Sequence, residues 1–166
     1  MILHNIGMVA ANTSRSHLYI TELIKKKILP RYILVLLNSN SELLPGQTKR
    51  QTENEIIKLL NTARIKYDIS YNTNINSESV IDIIANRPEE VFIFSGYGGV
   101  LLKEEILDCG KKFLHIHGGY LPYYKGSTAN YYSLIEDNSI GASAIFLTKE
   151  IDCGPILIRR KISPPN

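Results

Sequence analysis

Apolar and polar positions fall into two alternating patterns along the chain: short runs rich in Ile, Val and Leu, and longer stretches in which apolar residues recur at helical spacing. That alternation points to a parallel sheet covered by helices on both faces. It predicts strands at residues 6–11, 32–37, 67–71 and 90–95, through the histidines of Phe113-Leu-His-Ile-His, and at 142–147 and 156–162. The first helix is predicted to be capped by Ser16, with Leu18, Leu23 and Ile24 near one face. Further helices are predicted around 53–63, 77–85, 103–108 and 128–136. The polar stretch 38–50, which holds Pro45 and Gly46, reads as the longest loop, and loops of that length often serve binding. No internal repeat or low-complexity segment interrupts the series, and the implied order is doubly wound.

Composition bounds the function without changing this picture. The 166 residues, 44% hydrophobic and 21% charged, suit one α/β domain with a sizeable core. No apolar run approaches the roughly 20 residues that span a bilayer. The start Met1-Ile-Leu-His-Asn lacks the charged opening and long apolar centre of a secretory signal. No membrane partner and a cytoplasmic location are therefore expected. Cys109 and Cys153 lack a Cys-x-x-Cys spacing and are expected to be reduced thiols. The net charge of +3 is mild, and Lys25-Lys26-Lys27 closes a helix, where cations favour the dipole. A nucleic-acid partner is not expected.

The chemistry concentrates at Phe113-Leu-His-Ile-His-Gly-Gly-Tyr-Leu-Pro-Tyr-Tyr-Lys-Gly126 and at Asp152-Cys-Gly-Pro-Ile156. Side chains two apart on a strand share a face, so His115 and His117 project together while Leu114 and Ile116 pack behind. Gly118-Gly119 allows a sharp turn and a close ligand approach, and Pro122 with Gly126 marks a defined loop. In open α/β sheets ligands sit beyond the carboxyl ends of the strands, where the histidine loop, the Asn12-Thr-Ser-Arg15 loop and the Gly96-Tyr-Gly-Gly99 turn are all expected. Asn12, Ser14 and Arg15 offer an anion site at a helix start, with plain capping by Ser14 or Ser16 as the alternative. The Gly96 turn offers backbone to a flat heterocycle, or is simply a tight strand exit. An imidazole with a pKa of about 6.5, set beside the Asp152 carboxylate, suits proton transfer near neutrality. His115, His117 and a carboxylate also make a three-ligand set for zinc or iron. Structural roles for these groups are packing for His115 and a turn for Asp152.

Residues from about Val91 to Leu157 resemble the formyltransferase superfamily that uses 10-formyltetrahydrofolate. Its members carry Asn-x-His on a strand, a loop of the type Ser-Leu-Leu-Pro-x-x-Arg-Gly, and a later Asp-x-Gly-Pro-Ile. Here His117 matches the catalytic histidine, Leu121-Pro122 and Lys125-Gly126 match the loop, and Asp152 with Gly154-Pro155-Ile156 matches the last motif. The resemblance implies a three-layer Rossmann-like fold, with a mostly parallel sheet and one antiparallel strand. It implies that 10-formyltetrahydrofolate donates the formyl group, that an amine accepts it, and that no metal takes part. It also implies that His115, His117 and Asp152 are catalytic, and that Ser95, Gly96, Tyr97, Gly98, Gly99, Val100, Cys153 and Gly154 contact the pterin.

Two departures stand out. His115 replaces the family Asn, which donates a hydrogen bond to the formyl oxygen, and Gly119 stands where Ser is frequent. The chain is expected to be a single catalytic domain over 1–166, cut short relative to the family, without the domain by which its tRNA-acting members grip tRNA. Tyr120, Tyr123 and Tyr124 in the loop can stack on a sugar or nucleotide, and Lys125 can meet a phosphate beside Gly126. Tyr131 or Tyr132 is expected to pack the following helix into the core. A small phosphate-bearing amine, such as a nucleotide-linked amino sugar, is the expected acceptor. Hydrolysis of the formyl donor and folate binding without turnover are the alternatives.

Overall fold

A computed structural model describes residues 1–38 and 54–164 of the protein. Seven strands form one sheet: β1 (Ile2–Ala11), β2 (Leu29–Leu36), β3 (Lys66–Ser70), β4 (Val91–Ser95), β5 (Lys112–His117), β6 (Ile140–Phe146) and β7 (Ile156–Ile162). Their order is β3-β2-β1-β4-β5-β6-β7. The first five run parallel, and β6 pairs antiparallel with both β5 and β7. Only β6 therefore runs against the rest. The helices among the described residues are α1 (Ser14–Lys25), α2 (Asn54–Ala63), α3 (Glu78–Ala85), α4 (Glu104–Leu107) and α5 (Ala129–Asp137).

The central strands are apolar on both faces because both are covered. Met8, Ala10, Ile33 and Val35 pack with Ile20 of α1 and with Ile56 and Leu60 of α2. Val9, Leu34, Phe92, Phe94 and Phe113 pack with Val80 and Ile84 of α3 and Ile106 of α4. The result is the expected α/β sandwich of three layers. Crossovers on opposite faces begin at β1, which is bordered by β2 on one side and β4 on the other. The loops leaving β1 and β4 consequently meet at one point of the sheet's carboxyl edge.

Several local expectations differ from the structure. Thr13, not Ser14 or Ser16, caps α1, its side chain accepting from the Ser16 amide. Ser16 is buried and Leu18 is exposed, so the inward stripe is Ser16 and Ile20, with Leu23 and Ile24 half-buried. Tyr131 and Tyr132 are also exposed, because α5 turns Ala129 and Ser133 inward instead. Apart from Asn38, the loop read at 38–50 lies outside the described residues, as does Glu53 at the expected start of α2.

At the opposite edge from these loops, the Glu89 side chain is 0% exposed and takes hydrogen bonds from Arg87 at 3.0 and 3.3 Å, with Arg31 at 3.7 Å. Burial pushes the Glu89 carboxyl upward, but the Arg87 hydrogen bonds and the two guanidinium charges outweigh it and leave it below its ordinary value. A depressed carboxyl stabilises the fold above its unfolded-state value and loses that contribution as pH falls through the folded one. Glu89→Gln should thus cost about 2 kcal/mol at pH 7, the scale of a charged hydrogen-bonded group. Urea titrations should show the gap from wild type closing as the pH drops below about 4.

Candidate active site

The alternation of β5 fixes which side chains reach the carboxyl edge. Phe113 lies in the core beside α3 and α4, and His115 and His117 follow on the same face, with Phe94 and His115 ring centroids 6.4 Å apart. Ile116 points to the opposite face. Past His117 the chain turns at Gly118-Gly119 and returns over the ring. His117 Nε2 lies 2.8 Å from the Tyr124 carbonyl oxygen, which can only accept, so Nε2 carries the proton. Nδ1 lies 3.4 Å from Asp152 Oδ2. Both side chains are nearly buried, at 6% and 9% exposure.

Asp152 reaches His117 from a tight turn. Its own backbone is left-handed, with φ of 53°, a conformation that Asp tolerates better than most residues. The same Oδ2 accepts the Gly126 amide at 2.8 Å. Gly126, at φ of 86°, occupies backbone space that disfavours a side chain. One carboxylate oxygen thus ties the end of the histidine loop to the imidazole that begins it. Beside this tie, Lys125 Nζ donates to the exposed Cys153 thiol at 2.9 Å.

His115 is held differently. Its Nδ1 lies 3.3 Å from the Phe94 carbonyl, so the N–H of a neutral ring is directed at that backbone oxygen. Burial lowers its pKa, and the opposing pull of the Phe94 carbonyl and of Asp152 does not restore it; the Arg15 and His117 charges lower it further. At the neighbouring edge, Arg15 donates to the Gly96 carbonyl, and the buried Ser16 hydroxyl bonds the Ser95 carbonyl at 3.0 Å and its hydroxyl at 2.8 Å. Tyr97 spends its hydroxyl on the Leu36 carbonyl. Asn12 sends its amide to that same carbonyl, and Ser14 stays exposed at the first turn of α1. Gly98 and Gly99 are exposed, and a Cβ at either would meet nothing within 4 Å, so a flat ring has room to approach their backbone. Val100 is half-buried against the core beneath them. Gly154 is buried, and a Cβ there would overlap the Phe146 carbonyl.

Tyr120 and Tyr123 stack in parallel at 6.3 Å, with Arg159 4.7 Å over Tyr120, and Tyr123 is 75% exposed. They form an aromatic platform beside Arg159 and Lys161 of β7. Tyr124 directs its hydroxyl to Glu136. Two cavities, of about 220 and 300 Å³, lie on the open face of β6 and β7 and at the start of β5, and His115, His117 and Asp152 line neither. Among the described residues no group of three or more His, Cys, Asp or Glu side chains converges for a metal, so His115 does not join His117 and Asp152 as a ligand set. No described helix is long and apolar enough to cross a membrane.

Three contributors escaped the sequence reading. Ser143, buried in β6, donates to the Gly119 carbonyl at 2.7 Å and accepts the Leu121 amide at 3.0 Å. Arg159 donates to the Leu121 carbonyl at 2.6 Å, and Asn130 accepts the Gly141 amide at 2.9 Å. A polar residue at an inward position of the apolar run Gly-Ala-Ser-Ala-Ile was the one available signal.

The chain belongs to the formyl transferase family, whose model matches residues 6–163. A methionyl-tRNA formyltransferase of Finegoldia magna is 34% identical over 101 residues, covering 60% of this chain and 32% of that protein. The chain spans about a third of the length of the curated relatives it matches. A phosphoribosylglycinamide formyltransferase of Anaplasma phagocytophilum superposes with a TM-score of 0.69 at 13% identity, over 98% of this chain and 73% of that one. A sugar N-formyltransferase of a Shewanella species gives 0.62 at 14% identity, over 96% and 57%. At those identities the two structural likenesses speak for the fold alone.

Gly119 follows from the geometry, since a Cβ there would sit 2.5 Å from both His117 Nε2 and the Tyr124 carbonyl. Gly119→Ala should cost about 1–3 kcal/mol by overpacking and should break the His117–Tyr124 hydrogen bond. Chemical denaturation reads the first effect, and loss of a slowly exchanging imidazole N–H signal reads the second.

Proposed function

We propose that the chain transfers the formyl group of 10-formyltetrahydrofolate to a primary amine, most favourably on a small phosphate-bearing or nucleotide-linked amino sugar. The observation that carries this reading is the approach of His117 to Asp152 within the family's own loop and turn motifs. The donor supplies an activated formyl carbon. The chain must supply a donor for the oxygen that becomes negative, a route for protons, and a surface that orients the amine.

His117 is the proposed acid/base and oxyanion donor, and Asp152 the group that orients it. Asp152 Oδ2 can accept from Nδ1 only while that nitrogen carries a proton. Nε2 is covered by the Tyr124 carbonyl, so Nε2–H reaches a substrate only once that hydrogen bond is given up. The bare backbone at Gly98 and Gly99 and the turn at Cys153 and Gly154 are the proposed pterin contacts. The Asn12, Ser14 and Arg15 corner, the exposed Tyr123 ring, Tyr120, Tyr124, Lys125 and Gly126 are the proposed acceptor side. The cation-flanked aromatic pair supports a phosphate-bearing acceptor over a bare amine. Its position near the exposed cations of β7 favours the same choice.

Incubation with 10-formyltetrahydrofolate and a panel of nucleotide-linked amino sugars should release tetrahydrofolate and formylated sugar in equal amounts. Tetrahydrofolate without formylated sugar would indicate a hydrolase, and neither product would leave a folate binder. Asp152→Asn is the informative variant, because Asn also tolerates a left-handed backbone and keeps an acceptor for Gly126. It should retain the fold by thermal melting yet lose about 10²–10³ in kcat, with His117→Ala losing at least as much.

A further inference from the structure

Within the formyl-transfer reading, we propose that His115 presents an unprotonated Nε2 to the acceptor amine and takes its proton, and does not act as a hydrogen-bond donor to the formyl oxygen. Three observations carry this. β4 and β5 stop pairing after Ile93 and Leu114, and one residue further on His115 Nδ1 stands 3.3 Å from the Phe94 carbonyl. A carbonyl only accepts, so the proton of a neutral ring sits on Nδ1 and the lone pair on Nε2. Nε2 has no hydrogen-bond partner among the described residues, yet the fully buried unpaired side-chain atoms are only Thr21 Oγ1 and Ser139 Oγ. Nε2 of this half-buried ring therefore opens to solvent at the mouth of the site.

The charges around the ring favour that state. Arg15 approaches from α1 and His117 from the same strand, and both disfavour a positive charge on the ring, while Asp152 opposes them from its turn. Burial is the largest influence and acts with the first two, holding the imidazole below its ordinary pKa. An Asn at this position can give one amide N–H to the Phe94 carbonyl and offer the second to a ligand, whereas a neutral His with its N–H on Phe94 has only a base to offer.

The step balances without a further reagent. The amine nitrogen bonds to the formyl carbon and gives a proton to His115 Nε2, while the carbonyl electron pair moves to oxygen. Collapse restores the carbonyl and breaks the bond to the donor nitrogen, which receives that proton from His115. No proton is gained or lost overall.

The tautomer is read directly by long-range proton–nitrogen correlation on the full chain labelled with ¹⁵N-histidine, with His115→Asn identifying the signals. Expected at pH 7.5 is the pattern of a protonated Nδ1 and a bare Nε2, titrating with a midpoint below about 6.5. The reverse tautomer would overturn the proposal. With 10-formyltetrahydrofolate and a nucleotide-linked amino sugar, a base role predicts that His115→Asn and His115→Ala lose kcat alike, by about 10²-fold or more, with KM little changed. A donor role predicts that Asn keeps near-wild-type kcat, and that result would sink the base role while leaving formyl transfer standing. No turnover by wild-type protein would instead defeat formyl transfer, and the base role with it, whatever the tautomer.

Discussion

One oxygen of the Asp152 carboxylate holds the site together. It accepts the Gly126 amide and faces His117 Nδ1, joining three points that the sheet does not otherwise connect: the end of β5, the end of the loop that follows, and the turn between β6 and β7. Charge-assisted hydrogen bonds of this kind are stronger than neutral ones, and strongest when shielded from water as here. Without that oxygen the His117 ring would keep only the Tyr124 carbonyl, and the loop would keep only its far anchors. The group that faces the imidazole is therefore also the group that shapes the loop above it.

The rest of the carboxyl edge is arranged so that this tie can form. Ser143 secures both the Gly119 carbonyl and the Leu121 amide, and Arg159 secures the Leu121 carbonyl, so the turn leaves β5 in a fixed direction. Gly119 must lack a side chain because the returning Tyr124 carbonyl and the His117 ring fill the space where one would go. On the other flank, Ser16 and Arg15 lock the start of α1 to the end of β4. Most polar groups at this edge are already committed to backbone partners. The openings are the bare Gly98 and Gly99 backbone, the free side of His115, and the tyrosine platform.

How much of this the sequence disclosed depends on the range of the interaction. The strand 91–95 was legible because its residues answer to a two-residue period and to burial, whereas 156–162, exposed along its whole length, was legible only from its Ile-Leu-Ile start. The shared face of His115 and His117 was legible from that same two-residue period. The nearness of Asp152 to His117 was suggested by motif resemblance, not by any local rule, since the whole of α5 and β6 intervenes. Orientation was not legible at all. Where the His115 N–H points depends on where the Phe94 carbonyl lies once two strands diverge, which no periodicity encodes. Helix-facing errors had a similar origin: Leu18 and the tyrosines of α5 are apolar enough to suggest burial, but Ser16, Ala129 and Ser133 are the side chains small enough to fit against the sheet.

The two imidazoles then divide the work through their backbone partners. Each has one ring nitrogen on a carbonyl, but the assignment is reversed: His117 spends Nε2 on Tyr124, and His115 spends Nδ1 on Phe94. The remaining nitrogen of His117 looks at a carboxylate, and that of His115 looks at solvent. A carboxylate stabilises added positive charge, whereas burial beside Arg15 opposes it. One ring is consequently placed to donate a hydrogen bond and the other to receive a proton and pass it on, although they are two residues apart on the same strand. Formyl transfer to an amine needs both functions within a few ångströms, and a pair of identical side chains can provide them because their surroundings differ.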